Sequence, residues 1–229
     1  IIGGSGFIGS SVVEHILFNQ NNLVTVYDNL SSGELKYLEK NKKMKFVKGD
    51  ILNLKKLKES MKGHDFIFHL AANPDIRLGL KNPKLDFNEN TIGTLNVLEA
   101  MVANKIKKIA FTSTSAVFGT PNVMPTPENY GPCLPESFYG ASKLACEGYI
   151  SAYSSIYDLK SWIFRLANVT GFPGTHGIVY DFYKKIEKNK KQLEVLGDGN
   201  QKKSYVTNYM LANAMIKIIE KTKNLKQKI

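Results

Sequence analysis

Short apolar, β-branched runs alternate along most of the chain with longer stretches whose apolar positions recur every three to four residues. Positions 23–28, 44–47, 65–70, 108–112 and 161–166 predict strands. Positions 9–19, 54–61, 85–103 and 139–157 predict helices between them. This strand–helix–strand rhythm predicts an α/β fold: a doubly wound parallel sheet with right-handed crossovers and a ligand crevice at the carboxyl ends of its strands. Before the first helix stand only Ile1 and Ile2, where a buried strand would want about five residues, and no initiator Met. The first few residues are therefore expected to be missing. From Asn168 the rhythm breaks at Gly171, Pro173, Gly174 and Gly177, and again at Leu196-Gly-Asp-Gly199. We expect a main domain over 1–167 and a small, apparently incomplete C-terminal lobe over 168–229, some of whose elements return to the main sheet.

At 229 residues and 43% hydrophobic content the chain can bury one sizeable core. No apolar run reaches the ~18 residues of a membrane span, and no basic-then-apolar leader is present, so a cytoplasmic protein without a membrane partner is expected. The net charge of +11 raises the question of nucleic acid. Of the 31 basic residues, however, only Arg77 and Arg165 are arginine. Base-reading surfaces favour the planar fork of Arg, so no nucleic-acid partner is expected and the lysines read as solvated helix faces that also attract an anionic nucleotide. Cys133 and Cys146 form no C-x-x-C pair, and His15, His64, His69 and His176 lack metal-ligand spacing. Neither a disulfide framework nor a metal is predicted.

Candidate chemistry begins at Gly3-Gly-Ser-Gly-Phe-Ile-Gly9, which satisfies both G-x-x-G-x-x-G and G-x-G-x-x-G between a strand position and a helix. Glycines there allow a tight turn and close approach of a pyrophosphate, while the helix start offers unpaired N–H groups. Asp28 ends the next strand, placed to accept hydrogen bonds from both hydroxyls of an adenosine ribose and to repel a 2′-phosphate, which favours NAD over NADP. The lesser alternative is an Asp that merely caps the turn Asn29-Leu-Ser-Ser-Gly33. Gly49-Asp50-Ile51 and His69-Leu-Ala-Ala72 follow the third and fourth strands, where a nucleotide would pass. Near the other end of the main domain, Tyr139 and Lys143 stand four residues apart on one predicted helix face. The ammonium is expected to bring the phenol down from its usual pKa near ~10 and make it a base.

Taken in order, the glycine turn, Asp28, Gly49-Asp50, His69-Leu-Ala-Ala72, Asn90-x-x-Gly-Thr-x-Asn-Val-Leu-Glu99, Thr112-Ser-Thr-Ser-Ala-Val-Phe-Gly119 and Tyr139-x-x-x-Lys143 resemble the extended short-chain dehydrogenase/reductase family, close to its nucleotide-sugar epimerases. The resemblance covers residues 1 to about 205 and implies a Rossmann-type NAD domain. It implies a catalytic set of Thr114, Tyr139 and Lys143. Implied NAD contacts are Gly3, Gly6, Phe7 and Ile8 in the turn, and Asp28, Asn29, Ser31, Ser32 and Gly33 after the second strand. Asp50, Ile51, Leu70, Ala71, Ala72, Asn90 and Ser113 complete them, together with Tyr139 and Lys143. Thr114, Tyr139, Asn168 and Lys203 are the implied substrate contacts.

The implied reaction is epimerisation at C4 of a UDP-sugar, glucose or galactose, through a transient 4-keto sugar, with Tyr139 as base. Ser115-Ala116 follow Thr114 where the related 4,6-dehydratases carry Asp-Glu, which argues against elimination. Two departures stand out: Thr207-Asn-Tyr-Met-Leu lacks the acidic residue usual at the start of the next helix, and the chain is roughly a quarter shorter than family members. A homodimer through helices 85–103 and 139–157 is also implied. Other nucleotide-sugar epimerases, acting on UDP-glucuronate or a UDP-N-acetylhexosamine, a dehydrogenase of the same superfamily, and a non-catalytic NAD-binding scaffold remain open alternatives.

Overall fold

A computed structural model describes residues 1–229 apart from 19–20, 74–75, 175–176, 223–226 and 229, and apart from the side chains of 76–77 and 227–228. The predicted helix end at Asn19, the Arg77 side chain and His176 lie outside the described residues. Ile2 forms parallel bridges to Tyr27 on one side and His69 on the other. Its N–H donates to the Phe68 carbonyl, and the Tyr27 N–H donates to the Ile1 carbonyl, both at 2.8 Å. Beyond Tyr27 lie β1 (Val24–Asp28) and β2 (Met44–Lys48); beyond His69 lie β3 (Ile67–His69), β4 (Lys108–Thr114) and β5 (Lys160–Leu166), all parallel. Residues 1–2 thus occupy the sheet centre. The chain steps outward on one side through β1 and β2, then resumes on the other with β3. A ligand crevice is expected at such a reversal, outside the carboxyl ends of the strands.

Alternate residues of the central strands feed two cores, as the period of two requires. Ile67, Ile109, Phe111 and Ile163 pack with Leu57, Leu98, Met101 and Ile150. Phe68, Ala110 and Trp162 face the opposite side, against Val12, Leu211 and Met215. Strands buried on both faces explain why the sequence shows continuous apolar runs there instead of alternation. Helices α1 (Phe7–Phe18), α2 (Leu54–Ser60), α3 (Ile76–Lys81), α4 (Pro83–Asp86), α5 (Gly93–Ala103), α6 (Phe138–Tyr157), α7 (Ile178–Lys188) and α8 (Asn208–Lys221) complete the order. Among the described residues, no helix is long and apolar enough to cross a membrane.

The stretch 85–103, expected as one helix, is divided. Pro83 opens α4 at its first turn, a wide π-turn spans Phe87–Ile92, and α5 begins at Gly93. The division turns polar side chains inward. Asn90 and Thr91 are buried in the π-turn and bond to Asn73 and to Ser142 of α6. A Cβ on Gly93 would lie 2.4 Å from Ile51 Cδ1, so the backbone itself packs on the β2–α2 connection. π-turns of this kind concentrate at functional sites.

After β5, β6 (Asn168–Thr170) pairs in parallel with β7 (Tyr205–Thr207) as a separate small sheet. The short β8 (Gln227–Lys228) lies parallel beside β5. Leu211, Ala212 and Met215 place α8 in the main core, each large apolar side chain contributing about 1.5–3 kcal/mol. In contrast, α7 buries no residue.

Candidate active site

The glycine turn is shaped by backbone contact. At Gly3, where φ is +78°, an added Cβ would lie 2.6 Å from the Ala71 nitrogen; at Gly9 it would lie 2.1 Å from the Gly3 carbonyl oxygen. Side chains at either position would push α1 away from the ends of the central strands. Gly6 differs, because its nearest neighbour would be the Gly3 oxygen at 3.4 Å and it faces a cavity of about 290 Å3. Asp28, 8% exposed, accepts the Ser5 N–H at 2.9 Å through Oδ2 and the Leu30 N–H at 2.8 Å through Oδ1. It therefore caps the following turn and ties it to the glycine turn while still lining the cavity, with lone pairs left to accept further bonds.

The cavity runs from the glycine turn to the start of α6. Phe7 and Ile8 line it with Asn29, Ser31 and Ser32 from the loop after β1. Asp50 and Ile51 follow from the β2 end, and Leu70, Ala71 and Ala72 from the β3 end. Ser113, Thr114, Tyr139 and Lys143 line the same space. Ser137 caps α6 by accepting the Gly140 N–H at 3.0 Å. A Cβ at Gly140 would lie 2.7 Å from the Ala116 oxygen, so glycine lets the first turn of α6 press onto the 3-10 turn Ser115–Phe118 that follows Thr114. The Thr114 hydroxyl accepts the Ala116 N–H at 3.1 Å, which leaves its own proton free to donate.

Electrostatics correct one expectation. Tyr139 is pushed up to about 12, first by burial and then by Asp86 and Cys146. Lys143, 2% exposed, is lowered to about 8 by burial, against the opposing pull of Cys146 and Glu147. In the protein alone, desolvation of the phenolate thus outweighs any help from the ammonium. Lys143 Nζ donates to the Thr112 carbonyl at 2.7 Å and lies 4.4 Å from the Phe111 ring centre.

A family model described as the NAD dependent epimerase/dehydratase family matches residues 1–229. The chain belongs to that family. It is 34% identical over 216 residues to the UDP-glucose 4-epimerase of Mycolicibacterium smegmatis, covering 90% of this chain and 68% of that protein. A crystal structure of a UDP-galactose 4-epimerase superposes with a TM-score of 0.89 at 34% identity, covering all of this chain and 75% of that one. A UDP-N-acetylglucosamine 4-epimerase from Methanobrevibacter ruminantium M1, in complex with UDP-N-acetylmuramic acid, gives 0.89 at 31% identity, covering 100% and 74%. The chain spans about two thirds of that curated relative's length and three quarters of these structures.

NAD is the family's cofactor, and the residues present fit it. Gly6 leaves space where a Cβ would project into the cavity, α1 points its positive end there, and the Asp28 carboxylate lines the wall. Four candidates stand outside the cavity lining. Gly33 is buried against Ser5, where a Cβ would lie 2.6 Å from the backbone. Asn90 is 1% exposed and spends its amide on the Asn73 N–H, at 2.9 Å, and the Ser142 hydroxyl, also at 2.9 Å. Asn168 turns its amide to the Ser204 carbonyl at 3.1 Å, bracing β6 to β7. Lys203 lies in the exposed stretch before β7.

The sequence reading passed over Tyr27, Asn73, Glu89, Leu166 and Val169, which line the cavity. Each lies within two residues of a candidate named above; Tyr27 and Leu166 stand at strand ends, whereas Glu89 sits in the π-turn Phe87–Ile92, which no spacing signals. Tyr27 donates to the Asp50 carbonyl at 2.8 Å. The Glu89 carboxyl is raised by burial and by the charges of Asp50 and Asp86.

Proposed function

We propose that the protein is an NAD-dependent nucleotide-sugar 4-epimerase and that its substrates are UDP-glucose and UDP-galactose. The observation that carries this reading is the convergence of Thr114, Tyr139 and Lys143 on the cavity that also holds the glycine turn and Asp28. The relatives' activities support the same choice. Ser115 and Ala116 add no acid or base beside Thr114, which fits a reaction that only moves one proton off and back.

In this reading Tyr139 takes the proton of the sugar 4-hydroxyl and returns it after the sugar has turned over. Thr114 donates its free hydroxyl proton to the reacting oxygen and holds it beside Tyr139. Lys143, anchored by one N–H on the Thr112 carbonyl, keeps its remaining N–H groups for the nicotinamide ribose. NAD, when bound, supplies the hydride acceptor and donor for sugar C4 and a positive charge that opposes the burial penalty on the phenolate. Leu166 and Val169 give the wall beside Thr114 an apolar lining.

Incubation of the full-length protein with UDP-galactose, followed by anion-exchange separation, tests the reading. UDP-glucose should form; its absence from folded, NAD-loaded enzyme overturns the proposal. A UDP-N-acetylhexosamine is the second reading, favoured by the equal superposition on the N-acetylglucosamine enzyme. The same separation with UDP-N-acetylglucosamine decides between them. A homodimer through α5 and α6 belongs to this reading as well: Tyr149 and Ile156 leave apolar surface exposed on α6. Sedimentation velocity showing only monomer would remove it.

A further inference from the structure

Behind the cavity lies a buried charge pair that the proposed chemistry does not use. Glu147 stands on α6 one turn after Lys143 and is 5% exposed. One of its oxygens accepts the Ser113 hydroxyl. Arg165 of β5 meets the carboxylate through Nε at 3.1 and 3.2 Å and through Nη2 at 2.7 Å. The other guanidinium nitrogen, Nη1, donates to the Glu128 carbonyl at 3.0 Å, and the group lies 4.9 Å from the Phe118 ring centre. Glu128 and Phe118 belong to the connection between β4, which carries Thr114, and α6, which carries Tyr139. One ion pair therefore ties the end of β4, the first half of α6, β5 and the connecting loop.

We propose that the Glu147–Arg165 pair is a positioning device for catalysis: Glu147 fixes the β4 end beside Thr114 and places a negative charge one helical turn from Lys143. The inference rests on the epimerase reading for its activity measurement only. Around Lys143 stand Tyr139, Cys146 and Glu147 from its own helix, His69 from β3, and the Phe111 ring and Thr112 carbonyl from β4. Burial holds the Lys143 ammonium near 8, and Glu147 acts against that fall. Removing the carboxylate lowers Lys143 further, so the ammonium is lost at lower pH. A purely structural strut would change amounts of folded protein without moving that limb.

The test uses Glu147→Gln and Glu147→Asp in the full-length protein, NAD-loaded for turnover and stripped of NAD for the binding measurement. In Glu147→Gln, kcat should fall by about tenfold or more with KM little changed. The alkaline limb of kcat, and of NAD binding measured by calorimetry against pH, should move acidward by about one unit. In Glu147→Asp the charge remains, so the limb should stay at its original pH while kcat falls for lack of reach. Unchanged kcat and an unmoved limb in Glu147→Gln overturn the proposal. If that variant does not fold, Glu147→Asp decides alone: a shifted limb or full kcat overturns it. NAD binding needs no sugar nucleotide, so a protein inactive on UDP-galactose defeats the substrate reading while this measurement still judges Glu147.

Discussion

At the glycine turn the cavity wall is backbone: Gly3 and Gly9 sit where a single Cβ would come within 2.6 and 2.1 Å of main-chain atoms, and Asp28 is locked by two N–H groups. After β5 the construction is different. Asn168 braces two three-residue strands, Lys203 is exposed, and α7 buries nothing. Where recognition is made by main chain at a close approach, few residue types are tolerated and a short motif marks the place. Where side chains reach in from scattered loops, many residues serve and the motif fades.

The largest expected effect lies between these regions. Tyr139→Phe should lower kcat by about 10^3-fold with NAD content unchanged, as shown by activity and bound-nucleotide assays. Full turnover would remove Tyr139 from the chemistry. On the rigid side, Gly9→Ala should cost roughly 3 kcal/mol through overpacking, seen as a melting temperature about 10 °C lower and loss of NAD. A normal melting temperature would show that the turn is more pliant than its contacts indicate.

Lys143→Met should lower turnover by about 10^2-fold yet stabilise the cofactor-free protein at pH 7 by about 2–3 kcal/mol, because a buried ammonium is removed. The sign follows from Lys143 being lowered from 10.5 to about 8 in the folded state. Between pH 8 and 10.5 the unfolded chain binds more protons, so the wild-type penalty fades across that window and the advantage of the variant disappears. Urea denaturation at pH 7 and pH 10 measures it, and an equal gain at both pH values contradicts the assignment. The smallest effect belongs to the exposed side. Asn168→Ala should raise the KM for the sugar nucleotide by no more than about threefold and leave NAD binding unchanged. A large loss would mean that Asn168 leaves its bond to Ser204 and reaches the substrate.

The strand–helix alternation up to β5, the glycine turn, Asp28 and the Tyr139–Lys143 spacing were legible because each depends on local geometry: a period of two or near 3.6, a turn only glycine tolerates, or a four-residue step along a helix. Residues such as Asn73 and Glu89 were not, because their place on the cavity wall depends on the π-turn that divides the predicted 85–103 helix. Asn90 was visible as a polar residue in a motif, yet its task as a strut emerges only when Ser142 of α6 lies opposite. Ile1 and Ile2 hold the central position because neighbouring strands supply hydrogen bonds to them from both sides.

Taken alone, the sequence determined the α/β class, the glycine turn and the Tyr139–Lys143 spacing, each encoded within one or two elements. Only the tertiary structure decided that burial, not the neighbouring ammonium, controls Tyr139 in the protein alone, that Asn90, Asn168 and Lys203 stand outside the cavity lining, and that Glu147 joins Ser113 to Arg165. Desolvation and long-range ion pairing depend on which segments meet across the sheet, and no spacing along the chain records that meeting.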